Sequence, residues 1–318
     1  MLTGPASSVS RMTNGVRWID LCDPDREALE KAAPDDLHPR AFDQLLAPAR
    51  HDDDPRPTLE SHGDYVFGVF LVAVADREKD EVYYQEIDLV LTRTVVVSVR
   101  KMPPDGHRPA FSWTDAKDAY ERGDIDSTAM VAYHLVDDVA ERYLDLTDAF
   151  NDEIDELEDN VETWPPDRVR ERLSELRHDL LHIRRTLSPT RDAVRRVVDN
   201  RIELEGGELF DREVELHFAD AYDKLLRSFE ALELSRDLVA SVRDYHVAKI
   251  ANDQNEVMKR LTVVASVLLL PTFIVGLYGQ NFHDIPELRW RFGYGYVWAL
   301  IIVTTGLQLW YFRRKRWI

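Results

Sequence analysis

Residues 261–283 read LTVVASVLLLPTFIVGLYGQNFH, a stretch without a single Asp, Glu, Lys or Arg. Residues 292–312, FGYGYVWALIIVTTGLQLWYF, are equally free of charge. Each run reaches the roughly 20 residues that a helix needs to cross a hydrocarbon layer about 30 Å thick. The connection between them, residues 284–291 (DIPELRWR), is short, polar and contains a proline. Two spans and a short loop make a hairpin. Arg313, Arg314, Lys315 and Arg316 follow the second span, and such a basic cluster stays on the cytoplasmic side. The long segment ahead of the hairpin then lies in the cytoplasm too. Trp290, Trp298, Trp310, Tyr311 and Trp317 fall near the expected interfaces, where amphipathic rings collect. A buried helical hairpin in a soluble core is the competing explanation. Soluble hairpins rarely keep two uncharged runs of this length and then add a basic cluster.

Working outward, the remainder of the chain is a different physical regime. The 318 residues carry 40 Lys and Arg against 59 Asp and Glu, a formal net charge of −19. From Leu261 onward the balance reverses, because only Asp284 and Glu287 oppose Arg289, Arg291 and the four cations after the second span. A strongly acidic front repels phosphate backbones, so nucleic acid is not an expected partner. One cysteine, Cys22, excludes a disulfide framework or a cysteine-rich metal cluster. The first twenty residues lack an apolar core, so no cleaved secretory signal is expected.

Within the front, GVRWID at 15–20, the apolar run at 64–75, VYYQEIDLVL at 82–91 and TVVVSVR at 94–100 are rich in β-branched and aromatic residues and predict strands. Short helices are expected at 24–33, opened by Asp23 as cap and Pro24 at the first position, at 39–47 and at 108–122. Residues 1–14 and 48–62 read as a loose end and a loop. From Ser127 the pattern becomes helical, to about Val161, and again from Pro165-Pro166 to about Asn200. After the Glu205-Gly206-Gly207 break, a third helical pattern starts near Asp211 and meets no proline until Pro271. About sixty residues at 1.5 Å each give roughly 90 Å, so this helix runs from cytoplasm into bilayer. The expected fold is an α+β cytoplasmic domain of αβα-sandwich type (1–126), a long-helix hairpin (127–210), a stalk helix (211–260), a first span (261–280), an outer loop (281–292), a second span (293–312) and a basic tail (313–318).

One stripe on the long helix stands out. Asn255, Met258, Thr262, Ala265, Leu269, Thr272 and Gly276 repeat at alternating steps of three and four, a 3.5-residue seam. A coiled coil would place Leu or Ile at most of these positions. Small and polar residues fit either close helix–helix packing or a wall facing water, and both readings stand on periodicity alone.

The first span ends in Tyr278-Gly279-Gln280-Asn281-Phe282, followed by His283-Asp284-Ile285-Pro286-Glu287-Leu288. This resembles the CorA family of divalent-cation channels, whose mark is Gly-Met-Asn within Tyr-Gly-Met-Asn-Phe, followed closely by Met-Pro-Glu-Leu. The similarity extends to Asn255-Glu256-Val257-Met258-Lys259, Arg289-Trp290, Gly293-Tyr294 and the basic end with Trp317. Gln280 departs from the pattern where the family has methionine, and related zinc transporters also vary this position. The Pro-Glu-Leu loop favours the magnesium and cobalt branch.

The resemblance implies a homopentamer in the inner membrane with both termini cytoplasmic, and passive Mg2+ uptake with Co2+ or Ni2+ as surrogates. It implies a filter of Gly279, Gln280 and Asn281, the asparagine ring reading the hydrated ion. Along the seam, Asn255 would face an ion near the membrane entrance. Met258, Leu261 and Leu269 would form the hydrophobic constriction, Thr262 and Ala265 would line the wall between, and Thr272 and Gly276 the wider outer part. Asp284 and Glu287 would concentrate cations at the outer loop or serve only to cap it. The family also closes when Mg2+ fills cytoplasmic sites between subunits. His217-Phe218-Ala219-Asp220-Ala221-Tyr222-Asp223 resembles one sensor segment, mapping its acid to Asp220. The partner position falls on Gln44, with Asp43 beside it, so the implied bridge is Asp43 to Asp220 at reduced affinity.

Other candidates carry less. His178 and His182 stand four apart, a spacing that can clamp a metal, but no third ligand is evident. The acidic run 151–159 keeps Ile154, Leu157 and Val161 at helical spacing, as a plain exposed helix does. Asp52-Asp53-Asp54 reads as loop. No Walker-type loop suggests ATP hydrolysis, no nucleophile has a base and orienter, and no enzyme or resident cofactor is expected; Mg2+ enters as cargo and as a regulator. The alternatives are the same architecture carrying Zn2+, because of Gln280, and a non-conducting membrane-anchored scaffold, for which the polar seam would have no use.

Overall fold

A computed structural model of the protein describes residues 9–13, 15–49, 56–76, 81–102, 111–280 and 285–317. The chain forms two compact units, residues 1–242 and 243–318.

The first unit is built on one mixed sheet. Its strands are β1 (Val9–Thr13), β2 (Val16–Cys22), β3 (Thr58–Ser61), β4 (Val66–Asp76), β5 (Glu81–Leu91) and β6 (Val95–Arg100), in the order β1-β2-β6-β5-β4-β3. Only β2 and β6 run parallel. Helices α1 (Arg26–Ala32) and α2 (Pro39–Leu46) cover one face, seating Leu29 and Leu45 on Ile19, Val90 and Val97. The other face is covered by α3 (Asp115–Arg122), α4 (Thr128–Asn160) and α5 (Pro166–Val198), with the first part of α6 (Arg212–Tyr278) in the same core. Each fully buried Leu or Ile here contributes roughly 1.5–3 kcal/mol. Two helix layers around a sheet give the expected αβα arrangement.

Side-chain oxygens set the helix starts. Ser127 Oγ accepts from the Met130 amide at 3.2 Å to open α4. Asp211 Oδ1 accepts from the Val214 amide at 2.9 Å to open α6.

Several local expectations are corrected. The first helix opens at Asp25, whose carboxylate accepts from the Ala28 amide at 2.7 Å. Asp23 instead has φ of 43° and accepts from the Met102 amide at 3.0 Å. Of the helix expected at 108–122, residues 108–110 lie outside the described residues and 111–114 are not helical. The Phe111 amide donates to Gln85 Oε1 at 2.6 Å and its carbonyl accepts from Arg100 at 2.6 Å, so the backbone is taken by tertiary partners. Strands β1 and β3 fall in stretches expected to be a loose end and a loop. Both are short edge strands, which carry little pattern.

Two buried polar groups lock the sheet. Asp20 accepts from Ser98 Oγ (2.9 Å), Arg100 Nε (3.1 Å) and Nη2 (2.9 Å), and Trp113 Nε1 (3.0 Å). On the sheet's other face Lys101 Nζ lies 2.8 Å from Asp88 and 2.5 Å from Glu86, and donates to the Gln44 carbonyl of α2 at 3.0 Å. Burial pushes the Asp88 carboxyl up to about 7 against the pull of Lys101.

The second unit holds the rest of α6, a 3-10 turn at Pro286–Arg289, and α7 (Gly293–Arg314). α6 and α7 are both long and apolar enough to cross a membrane. α6 continues through Pro271. The turn is tight enough that a Cβ on Gly293 would meet the Glu287 carbonyl, so the second span opens with glycine.

Candidate ion pathway

Between Arg243 and Tyr278, α6 buries Val263 and Ile274, which lie about three turns apart on one face. Ser266 is on the same face, and its carbonyl accepts from Gln308 Nε2 of α7 at 3.4 Å. This face is therefore the one that meets α7.

The seam is turned away from Val263 and Ile274, although Asn255 and Thr262 come within about 40° of Ser266 around the axis. Asn255, Met258, Leu261, Thr262, Ala265, Leu269, Thr272 and Gly276 are all exposed, Leu269 to 70 %. Among the described residues the close-packing reading finds no partner: α7 takes the other face, and the seam is left for water or for further copies. Thr262 Oγ1 donates to the Met258 carbonyl at 2.8 Å, and Thr272 Oγ1 to the Leu268 carbonyl at 2.7 Å. Each hydroxyl spends its hydrogen on its own helix and keeps only acceptor lone pairs for whatever lines up outside. Acceptors are what the outward hydrogens of a hydrated cation require.

Of the filter triplet, Gly279 and Gln280 are exposed just beyond α6, with the Gly279 amide donating to the Val275 carbonyl at 2.8 Å. A helix C-terminus also offers carbonyl oxygens and the negative end of the dipole, both favourable to cations. Asn281 and Asp284 lie outside the described residues. Glu287 is half-buried in the 3-10 turn.

The two regulatory candidates are both exposed. Asp43 is 3.8 Å from Arg26, an exposed pair of little energetic weight. Asp220 lies one turn before Lys224 on α6, whose ammonium joins Asp137 (2.9 Å) and Glu141 (2.9 Å) of α4. Tyr133 sits beside this group; burial first, then the charges of Asp137 and Asp220, push its hydroxyl up to about 12. No ion pair or hydrogen bond joins Asp43 to Asp220 among the described residues.

The discarded candidates are placed too. His182 meets the Tyr84 ring edge-on at 4.6 Å, and His178 is exposed. Among the described residues no three His, Cys, Asp or Glu side chains come together as a metal site. In the acidic run Ile154, Leu157 and Val161 are buried, and Glu153 pairs with Arg172 at 2.9 Å. Asp52-Asp53-Asp54 lies outside the described residues. Sequence reasoning overlooked the Gln308–Ser266 contact. Its signal was available: Gln308 is the lone amide in the second span.

An α/β unit whose long helix continues into an apolar stretch, followed by a second apolar helix, has the make-up of an integral membrane protein. Residues 13–314 match the family model described as CorA-like Mg2+ transporter protein. The cobalt/magnesium transport protein CorA of Thermotoga maritima is 30 % identical over 284 residues, covering 89 % of this chain and 77 % of that protein. The putative metal ion transporter YfjQ of Bacillus subtilis is 29 % identical over 305 residues, covering 94 % and 89 %. The complete structure of the CorA magnesium transporter from Methanocaldococcus jannaschii superposes with a TM-score of 0.77 at 20 % identity, over 100 % of both chains, a likeness of fold. The chain belongs to the CorA family of transporters. It is an inner-membrane protein with two spanning helices and a cytoplasmic soluble unit, and not an enzyme.

Proposed function

We propose that the chain is a passive uptake channel for divalent cations, chiefly Mg2+, with Co2+ and Ni2+ as surrogates. The observation that carries this reading is the exposed seam of α6, turned away from α7 and supplied with acceptor-only threonines. Five copies arranged around an axis would bring the seams together as the wall of a pore. Mg2+ gives up its waters reluctantly, so a ring of Asn281 amide oxygens reads the hydrated ion without stripping it. Met258, Leu261 and Leu269 form the constriction, which gates by dewetting. An inside-negative potential supplies about 4.6 kcal/mol per 100 mV for an inward divalent ion. Asp43 of one copy and Asp220 of the next bridge a cytoplasmic Mg2+ that favours closure.

The test is cation uptake into proteoliposomes under an imposed inside-negative potential, comparing Mg2+ with Zn2+, with Asn281→Ala alongside. Mg2+ uptake abolished by the substitution is the expected result. Zn2+ uptake with little Mg2+ would transfer the reading to the zinc alternative that Gln280 keeps in play. Uptake of neither by folded, oligomeric protein would leave a membrane-anchored scaffold.

A further inference from the structure

The cytoplasmic end of the hairpin gathers cations from both helices. The Gln308–Ser266 contact fixes their antiparallel register. Helices of equal rise keep step, so Arg314 and Lys315 of α7 come level with Lys259 and Arg260 of α6. Arg313 and Arg316 complete a collar of six basic side chains, all exposed. Arg260 is engaged by Glu256 at 3.3 Å.

The backbone finishes this collar in an unusual way. Arg316 has φ of 56°, the left-handed position where glycine is favoured. The reversal lets the Trp317 amide donate to the Phe312 carbonyl at 3.0 Å and stacks the two rings, with centroids 5.7 Å apart and planes 17° apart. The Arg314 guanidinium lies 5.5 Å from the Trp310 ring. Apolar rings thus sit beside these cations at the end of both spans.

The geometry points to a binding surface for anionic phospholipid headgroups in the cytoplasmic leaflet, the guanidinium and ammonium groups taking the phosphodiester and the folded-back rings taking the upper acyl region. Continuity with the membrane interface favours a lipid over an acidic protein or a free anion. It also gives Arg316 its reason: a glycine there would make the same turn and remove a charge from the collar.

The full-length protein purified from nanodiscs containing equal phosphatidylglycerol and phosphatidylcholine is examined by native mass spectrometry for retained lipid. Several-fold enrichment of phosphatidylglycerol is expected, falling to near parity in Arg313→Gln/Arg314→Gln. That double variant keeps four cations to hold the topology. Lys259→Gln/Lys315→Gln should lower the enrichment similarly, and the outer-loop pair Arg289→Gln/Arg291→Gln should leave it unchanged. Undiminished enrichment in both collar variants, or an equal fall in the outer pair, would overturn the proposal. Displacement of the lipid by millimolar inorganic phosphate would also overturn it, showing a free-anion site.

Discussion

The sheet unit and the membrane hairpin solve burial in opposite ways. The first encloses its own core, and even its buried charges are partnered inside the chain: Asp20 by Ser98, Arg100 and Trp113, and Lys101 by Glu86 and Asp88. The second leaves its most apolar stretches open, with 11 % and 6 % of the spanning windows of α6 and α7 buried. One unit is finished by its own residues. The other leaves its apolar surface to lipid and, on the proposed reading, its seam to further copies. Substitutions should therefore act on folding in the first unit and on assembly and conduction in the second.

The largest effect expected is from Lys101→Met. It leaves Glu86 and Asp88 buried without their cation, and breaking such a group costs about 3–5 kcal/mol. Chemical denaturation of the full chain in detergent should show the loss in the soluble transition; an unchanged midpoint would mean that the cluster is not a structural lock. Ala265→Leu probes the other side of the comparison. The added bulk narrows the seam and should cut Mg2+ uptake by roughly tenfold, about 1.4 kcal/mol of added barrier, with no change in the melting of the soluble unit. Val264→Leu, one residue away and off the seam, is the matched control. Equal effects at the two positions would remove the seam from the pathway.

Asp138 gives a smaller, pH-dependent effect. Burial pushes its carboxyl up to about 6, only partly opposed by the Ala116 and Thr114 amides. Its folded pKa is above the unfolded value near 4, so its contribution is fully present below about pH 4 and is lost as pH rises through 6. Asp138→Asn keeps an acceptor for those amides and should raise stability by about 1 kcal/mol above pH 6 and flatten the 4–6 window. A melting curve series across pH 4–8 that retains the wild-type slope would exclude Asp138 as its source. The smallest effect belongs to Gln308→Leu. Hydrogen bonds between spanning helices average about 0.6 kcal/mol, so hairpin stability in bilayers should barely move.

The same contrast explains what could be read from the chain beforehand. The spans were plain because lipid imposes a composition over twenty residues, whatever the tertiary contacts. The long helices were plain because Ser127, Pro165 and Asp211 punctuate them. Phe111–Thr114 looked helical and is not, since Gln85 and Arg100 claim its backbone from distant strands. The Asp88 cluster had a legible half: Glu86 and Asp88 alternate with core residues on β5, placing two acids on one buried face. Its cation, Lys101, lies beyond the next strand, and only the pairing register of β5 with β6 brings it near. The seam's periodicity was visible, whereas its freedom from α7 depended on which face Ser266 turned to Gln308.

One helix, Arg212–Tyr278, contributes residues to both units. Such a helix transmits phase. Inserting one residue between Val247 and Asn255 would swing every seam residue by about 100° around the axis, while inserting seven would nearly restore its bearing and move it about two turns along. Length changes in this segment thus rotate the seam first and shift it along the axis second, so its bearing is specified by counting residues as much as by choosing them.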